Sequence, residues 1–242
     1  MFDAFQNIFA THSDTTMEIT YYGHSSFMVK TNGKNILFDP FISPNPLASD
    51  IDVDALKPDF VLLSHGHIDH VEDAPRICKN AGSTAIGSWE TMVWMEKQGV
   101  EKTHPMNIGG SWNFDFGNLK LVNAVHSSSM PDGSYGGNPT GFVVSNNEDC
   151  FYYAGDTALH MDMQLIPRRC NIKTAFLPIG SNFTMDVYDA IEAARMIHCN
   201  NIIGMHYDTF DYIKIDHSDA LDAFTKAGIY LHLLNIGQTV NF

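Results

Sequence analysis

The chain has 242 residues, enough for one large domain or two small ones, and its 44% hydrophobic against 17% charged residues is the composition of a folded protein, not of a disordered one. Fourteen basic against 28 acidic residues give a formal net charge of −14, which repels nucleic acid and anionic membranes, and no basic cluster offsets it beyond the pair Arg168-Arg169. A small-molecule substrate is therefore expected, with no nucleic-acid or membrane partner.

The first 16 residues lack the basic start and apolar run of an export signal, so they are read as an N-terminal extension; Phe2, Phe5 and Phe9 would share one side of a short helix. Four scattered cysteines (Cys78, Cys150, Cys170, Cys199) form no C-x-x-C pair, and reduced thiols in a cytoplasmic protein are expected.

In chain order, β-branched and aromatic runs predict strands over 17–22, 26–31 and 35–39, the last two joined by the hairpin signal Asn32-Gly33. A buried strand follows at 60–63. Helices are expected over 72–81, before Gly82, and over 89–98, with Ser88 as N-cap. Strands are expected over 112–116, 119–125, 141–145, 150–154 and 174–178. Apolar residues at helical spacing over 187–198 predict an amphipathic helix. A strand over 201–205, a helix over 219–227 after Ser218 and a strand over 229–234 complete the chain. The Gly-, Pro- and Ser-rich stretch 127–139 reads as a surface loop. Interleaved strands and helices with no linker predict one layered α+β domain over 17–242.

The chemistry concentrates in Ser64-His65-Gly66-His67-Ile68-Asp69-His70, directly after the apolar run 60–63. Three imidazoles and a carboxylate in a turn leaving a strand suit zinc, manganese or iron. His126, Asp156 and His206 each stand just past the end of a predicted strand, where α/β sheets gather ligands. Five imidazoles and two carboxylates are enough for two divalent ions with positions left for water. No G-x-S-x-G elbow points to a serine nucleophile.

H-x-H-x-D-H followed by isolated His, Asp and His resembles the metallo-β-lactamase superfamily from about residue 17 onward. Tyr22-Gly23-His24-Ser25-Ser26, Phe38-Asp39-Pro40-Phe41, Ala154-Gly155-Asp156-Thr157 and the segment FLPIGSNFTM (176–185) are similar to a bacterial metal-dependent hydrolase subfamily related to the L-ascorbate-6-phosphate lactonases. The resemblance implies a four-layer αββα sandwich. It implies one ion on His65, His67 and His126, a second on Asp69, His70 and His206, and Asp156 between them. Zinc is the default metal, with manganese or iron as alternatives. A metal-bridging hydroxide would then attack a small ester, lactone or phosphoester, with Asp69 orienting it. His24 is expected to contact substrate or the developing oxyanion, and Asp39 to fix a ligand imidazole. Asn182 and Thr209 are assigned to the pocket rim, and the remaining histidines to surface or structural roles. Ser181 departs from relatives that often carry Asp there. Homo-oligomers are common in the resembled family, so self-association is a further expectation. The alternatives are a nucleic-acid-processing hydrolase, a diiron redox protein and a metal-binding scaffold without turnover. The first conflicts with the acidic charge; the second conflicts with His67 where Glu is typical and with the lack of a fused electron-transfer domain.

Overall fold

A computed structural model describes residues 17–242; the N-terminal extension, its Phe2, Phe5 and Phe9 stripe and His12 lie outside the described residues. The chain opens as a meander. In β1 (Glu18–Gly23) alternate residues are buried, as period-two patterning requires. β2 (Ser26–Thr31) and β3 (Lys34–Phe38) pair antiparallel across Asn32 and Gly33, whose φ values of 47° and 71° suit the tight hairpin that the dipeptide signals.

β4 (Phe60–Leu62), β5 (Thr84–Ser88) and β6 (Thr103–Met106) then add in parallel, and β14 (Thr239–Asn241) closes the other edge to give the order β14-β1-β2-β3-β4-β5-β6. The second sheet has the order β13-β12-β11-β10-β9-β8-β7. Its strands are β7 (Ser111–Phe114), β8 (Gly117–Asn123), β9 (Thr140–Ser145), β10 (Cys150–Tyr153), β11 (Thr174–Pro178), β12 (Asn201–Met205) and β13 (Tyr230–His232). Each sheet thus passes from antiparallel to parallel pairing along its width.

The sheets face each other through a fully buried aromatic seam. Phe38 stacks on Tyr153 with ring centroids 4.6 Å apart, and Phe27 meets Phe176 edge-on at 4.9 Å. Outside the first sheet lie α1 (Ile68–Val71), α2 (Ala74–Ala81) and α3 (Trp89–Lys97), whose Val71, Ile77, Met92 and Met95 cover Leu37, Val61 and Leu63. Outside the second lie α4 (Val187–Met196) and α5 (His217–Lys226), which contribute Ala190, Ala194 and Phe224 to the main core. This is the αββα sandwich.

Several boundaries differ from expectation. β5 and β6 carry Gly, Ala, Ser and Pro in place of strand formers, and β14 has three residues, so none of the three stands out from local pattern. Pro105 is tolerated because β6 is an edge strand. Helix α2 starts at Ala74, after Asp73 and with Pro75 in its first turn, two residues later than expected. The cysteine expectation is corrected: Cys150 and Cys170 are joined as a disulfide, while Cys78 and Cys199 are free and buried. The 3-10 segment Met161–Arg168 folds back so that the chain returns to the start of β10, where the Lys173 amide donates to the Cys150 carbonyl at 2.8 Å. Among the described residues no helix is long and apolar enough to cross a membrane.

Candidate metal centre

Strand direction explains where the polar cluster forms. β1, β3 and β4 run one way in the first sheet, and β8, β10, β11 and β12 share a direction in the second. The segments leaving their carboxyl ends carry His24, Asp39, the 64–70 motif, His126, Asp156 and His206, which converge at one edge of the sandwich. Backbone bonds tie the ends of the two sheets together: the His206 amide donates to the His24 carbonyl, and the Thr140 amide to the Ser64 carbonyl, both at 2.9 Å.

The local backbone is unusual. Of the eight non-glycine residues with positive φ among the described residues, six are His24, Asp39, Ser181, Asn182, His206 and Asp208, all in these loops. Such conformations cost energy and persist where the surrounding structure enforces them. Gly155 turns the chain at φ 62° so that Asp156 can follow β10; a Cβ there would stand 2.8 Å from that of Ser64.

All seven residues expected to ligate metal meet in this cluster. The His65, His67 and His126 nitrogens form one group, and the Asp69 carboxylate with the His70 and His206 nitrogens, joined by His24, forms another; within each, one ligand atom per residue lies within 4.8 Å of the rest. Asp156 stands where they join. Its Oδ2 is 3.0 Å from His206 Nε2, 3.3 Å from His70 Nε2 and 3.6 Å from His126 Nε2. Its Oδ1 is buried with no partner.

Asp39 orders the site from below. Its Oδ2 lies 2.9 Å from His70 Nδ1, 2.8 Å from the Tyr153 hydroxyl and 2.5 Å from Ser64 Oγ, while Oδ1 accepts from the Ser64 amide at 2.7 Å. A donor to a carboxylate at Nδ1 fixes the tautomer and leaves the Nε2 lone pair of His70 facing Asp156. That nitrogen is buried and has no hydrogen-bond partner. A lone pair aimed at carboxylate oxygens in a buried site calls for a cation between them, so the donor set fits a divalent metal ion.

His24 is fully engaged by the protein: Nδ1 is 3.0 Å from Thr209 Oγ1 and Nε2 is 3.1 Å from Asp69 Oδ2. Its ring thus links Thr209 to the Asp69 carboxylate at the edge of the cluster. Burial, reinforced by His206, pulls its imidazole down to about 4, so His24 stays neutral. Burial would lower His206 too, but the Asp156 carboxylate outweighs it and lifts the imidazole to about 9. Burial would raise Asp156, yet the His206 and His70 imidazoles hold it well below the usual carboxylate range. Such mutual charge demand is what a bound cation satisfies.

Sequence reading missed Tyr153 and Ser64 as partners of Asp39, and Ser127 and Ser128. Ser127 Oγ is 3.4 Å from His67 Nε2, and Ser128 Oγ accepts from the Gly66 amide at 3.0 Å. Tyr153 sits inside the buried run of β10, where an aromatic reads as core; the two serines sit in a loop whose composition marks only a turn. Of the histidines assigned elsewhere, His217 pairs with Asp208 at 2.6 Å. Asn182 has a φ of 55° in the loop after β11.

Comparison with known proteins identifies the family. The family model described as "Beta-lactamase superfamily domain" matches residues 34–207. A UPF0173 metal-dependent hydrolase of Flavobacterium johnsoniae is 51% identical over 93% of this chain and 99% of its own length. One from Christiangramia forsetii is 50% identical over 93% of this chain and 99% of its own. Among solved structures, the metallo hydrolase Igni18 of Ignicoccus hospitalis is 33% identical, covers 94% of this chain and 99% of its own, and superposes with a TM-score of 0.85. The chain belongs to the β-lactamase superfamily and is a metal-dependent hydrolase of the UPF0173 group.

Proposed function

We propose that residues 17–242 form one hydrolase domain that holds two divalent ions, zinc by default and manganese or iron as alternatives, and cleaves a small ester, lactone or phosphoester. The observation that carries this reading is the position of Asp156 Oδ2, within 3.6 Å of the Nε2 atoms of three histidines drawn from both sheets. His65, His67 and His126 would hold one ion, Asp69, His70 and His206 the other, and Asp156 faces both groups.

Ions bound there supply a water of lowered pKa and a Lewis acid for the attacked oxygen. The chain's own residues do the positioning. Asp39 holds His70 in one tautomer. His24, pinned by Thr209, fixes the Asp69 carboxylate, which is 21% exposed and so open to the site. Asp69 orients the attacking water and accepts its proton, and neutral His24 can hold that carboxylate without donating a charge.

The test is metal content by elemental analysis after purification without chelator and reloading with zinc or manganese. About two ions per chain are expected, with loss in His67→Ala and in Asp156→Ala. Absence of tightly held metal under every loading condition would sink the reading, and bound metal without turnover of any ester, lactone or phosphoester would leave a scaffold.

A further inference from the structure

The loops that build the site carry an unusual balance of side chains. The segments 39–48, 64–73, 124–139, 155–160, 179–186 and 206–216 contain no arginine and a single lysine, Lys214, although the chain has 14 basic residues. Lys214 Nζ is itself paired with Asp211 at 2.6 Å. Carboxylate and phosphate groups on substrates are recognised by arginine or lysine, and no such group stands free here. The net charge of −14 further disfavours an anion approaching from solvent.

The same loops expose apolar surface instead. Phe210 packs against His24 with ring centroids 5.4 Å apart and against Phe41 at 6.2 Å. Two residues after Phe210, Tyr212 meets Phe183 of the loop after β11 edge-on at 6.2 Å, and the two remain 76% and 51% exposed. Ile68, inside the ligand motif between His67 and Asp69, is 54% exposed. Large apolar groups held open to water around a polar centre mark a surface kept for a ligand.

We propose that the substrate is a carboxylic ester or lactone with an uncharged, apolar chain, which lies on the Phe183–Tyr212 and Phe210 ledge and bears no anionic group away from the scissile bond. This rests on the metal-dependent hydrolase reading above and narrows it. A neutral chain gains from burial on the aromatic surface, whereas a terminal carboxylate there loses water and finds only Lys214, which Asp211 already pairs.

The test uses metal-chelating probes and so does not need turnover. Calorimetry on zinc-loaded protein compares hexanohydroxamic acid, 5-carboxypentanohydroxamic acid and acetohydroxamic acid. The neutral six-carbon probe is expected to bind about tenfold more tightly than its carboxylated counterpart, the size of effect an apolar pocket supports. The double variant Phe183→Ala, Tyr212→Ala should erase most of that preference and leave acetohydroxamate binding unchanged. Both side chains are more than half exposed, so their removal spares the core. Equal or tighter binding of the carboxylated probe, or an unchanged preference in the double variant, overturns the substrate class while leaving the metal centre intact. Failure of all three hydroxamates to bind would instead remove the metal reading and this inference with it.

Discussion

Asp39 Oδ2 lies 2.9 Å from His70 Nδ1, and this one contact decides what the opposite face of the ring can do. With the Nδ1 proton given to the carboxylate, Nε2 presents a lone pair 3.3 Å from Asp156 Oδ2. Both side chains are fully buried, so water cannot relieve the opposition between them.

Asp39→Asn tests that relationship. Asparagine tolerates the φ of 38° at this position, so the backbone should hold. The amide loses the negative charge that would strengthen His70 as the proposed ligand, and one of its atoms becomes a donor facing other donors. Metal affinity should fall about 10–100-fold, the usual effect of losing a partner behind a ligating histidine. Competition with a zinc indicator measures it; unchanged affinity would show that His70 needs no such support.

Asp69→Asn separates chemistry from fold. The side chain is 21% exposed and its Oδ2 is held by His24 at 3.1 Å, a contact that an amide can imitate after reorienting. The ability to accept a proton is lost. Turnover should drop by about 100-fold or more, in line with removal of a general base, while the melting temperature moves little. A parallel collapse of both would make Asp69 a structural residue.

Much of the candidate centre was legible because its proposed ligands are local in sequence. His65, His67, Asp69 and His70 fall within six consecutive positions, and His126, Asp156 and His206 each follow closely on a strand with an apolar run. What stayed hidden depends on the meeting of the two sheets. Nothing near Tyr153 in sequence points to Asp39, 114 residues away, because the contact exists only once β10 faces β3. The tie between Thr209 and His24 spans 185 residues for the same reason. Cys150 and Cys170 likewise follow no spacing rule, since the fold-back of the segment between them brings them together.

Acid should destabilise the chain through a histidine outside the centre. Burial pulls the His160 imidazole below its ordinary 6.5, and both ring nitrogens are buried without a partner. The folded state therefore binds this proton less readily than the unfolded chain. Stability from this group is complete above the unfolded value and is lost as pH falls below about 6.5 toward the depressed folded value. His160→Leu should flatten the fall in denaturation midpoint between pH 7 and pH 5. An identical slope in the variant would remove His160 from the account.

Gly180 offers the sharpest steric test of how the second sheet carries the site. It follows β11 and lies against the loop that leaves β12, where a Cβ would stand 2.1 Å from the His206 carbonyl oxygen and 3.0 Å from Ile213 Cβ. The first neighbour is backbone and cannot swing aside as a long side chain would. His206 is also held by the hydrogen bond its backbone N–H donates to the His24 carbonyl at 2.9 Å. Gly180→Ala must therefore push one strand end away from the other. Overpacking of this kind costs about 1–3 kcal/mol, read as a lowered denaturation midpoint. Because the displaced carbonyl belongs to His206 itself, zinc affinity should fall together with stability. Substitution at Gly33, where a Cβ meets nothing within 4 Å, should leave zinc affinity unchanged and so separates the steric effect from a general loss of glycine. If Gly180→Ala binds zinc as tightly as the parent, the loop after β12 has slack that these contacts do not suggest, and His206 is less firmly placed than its neighbours.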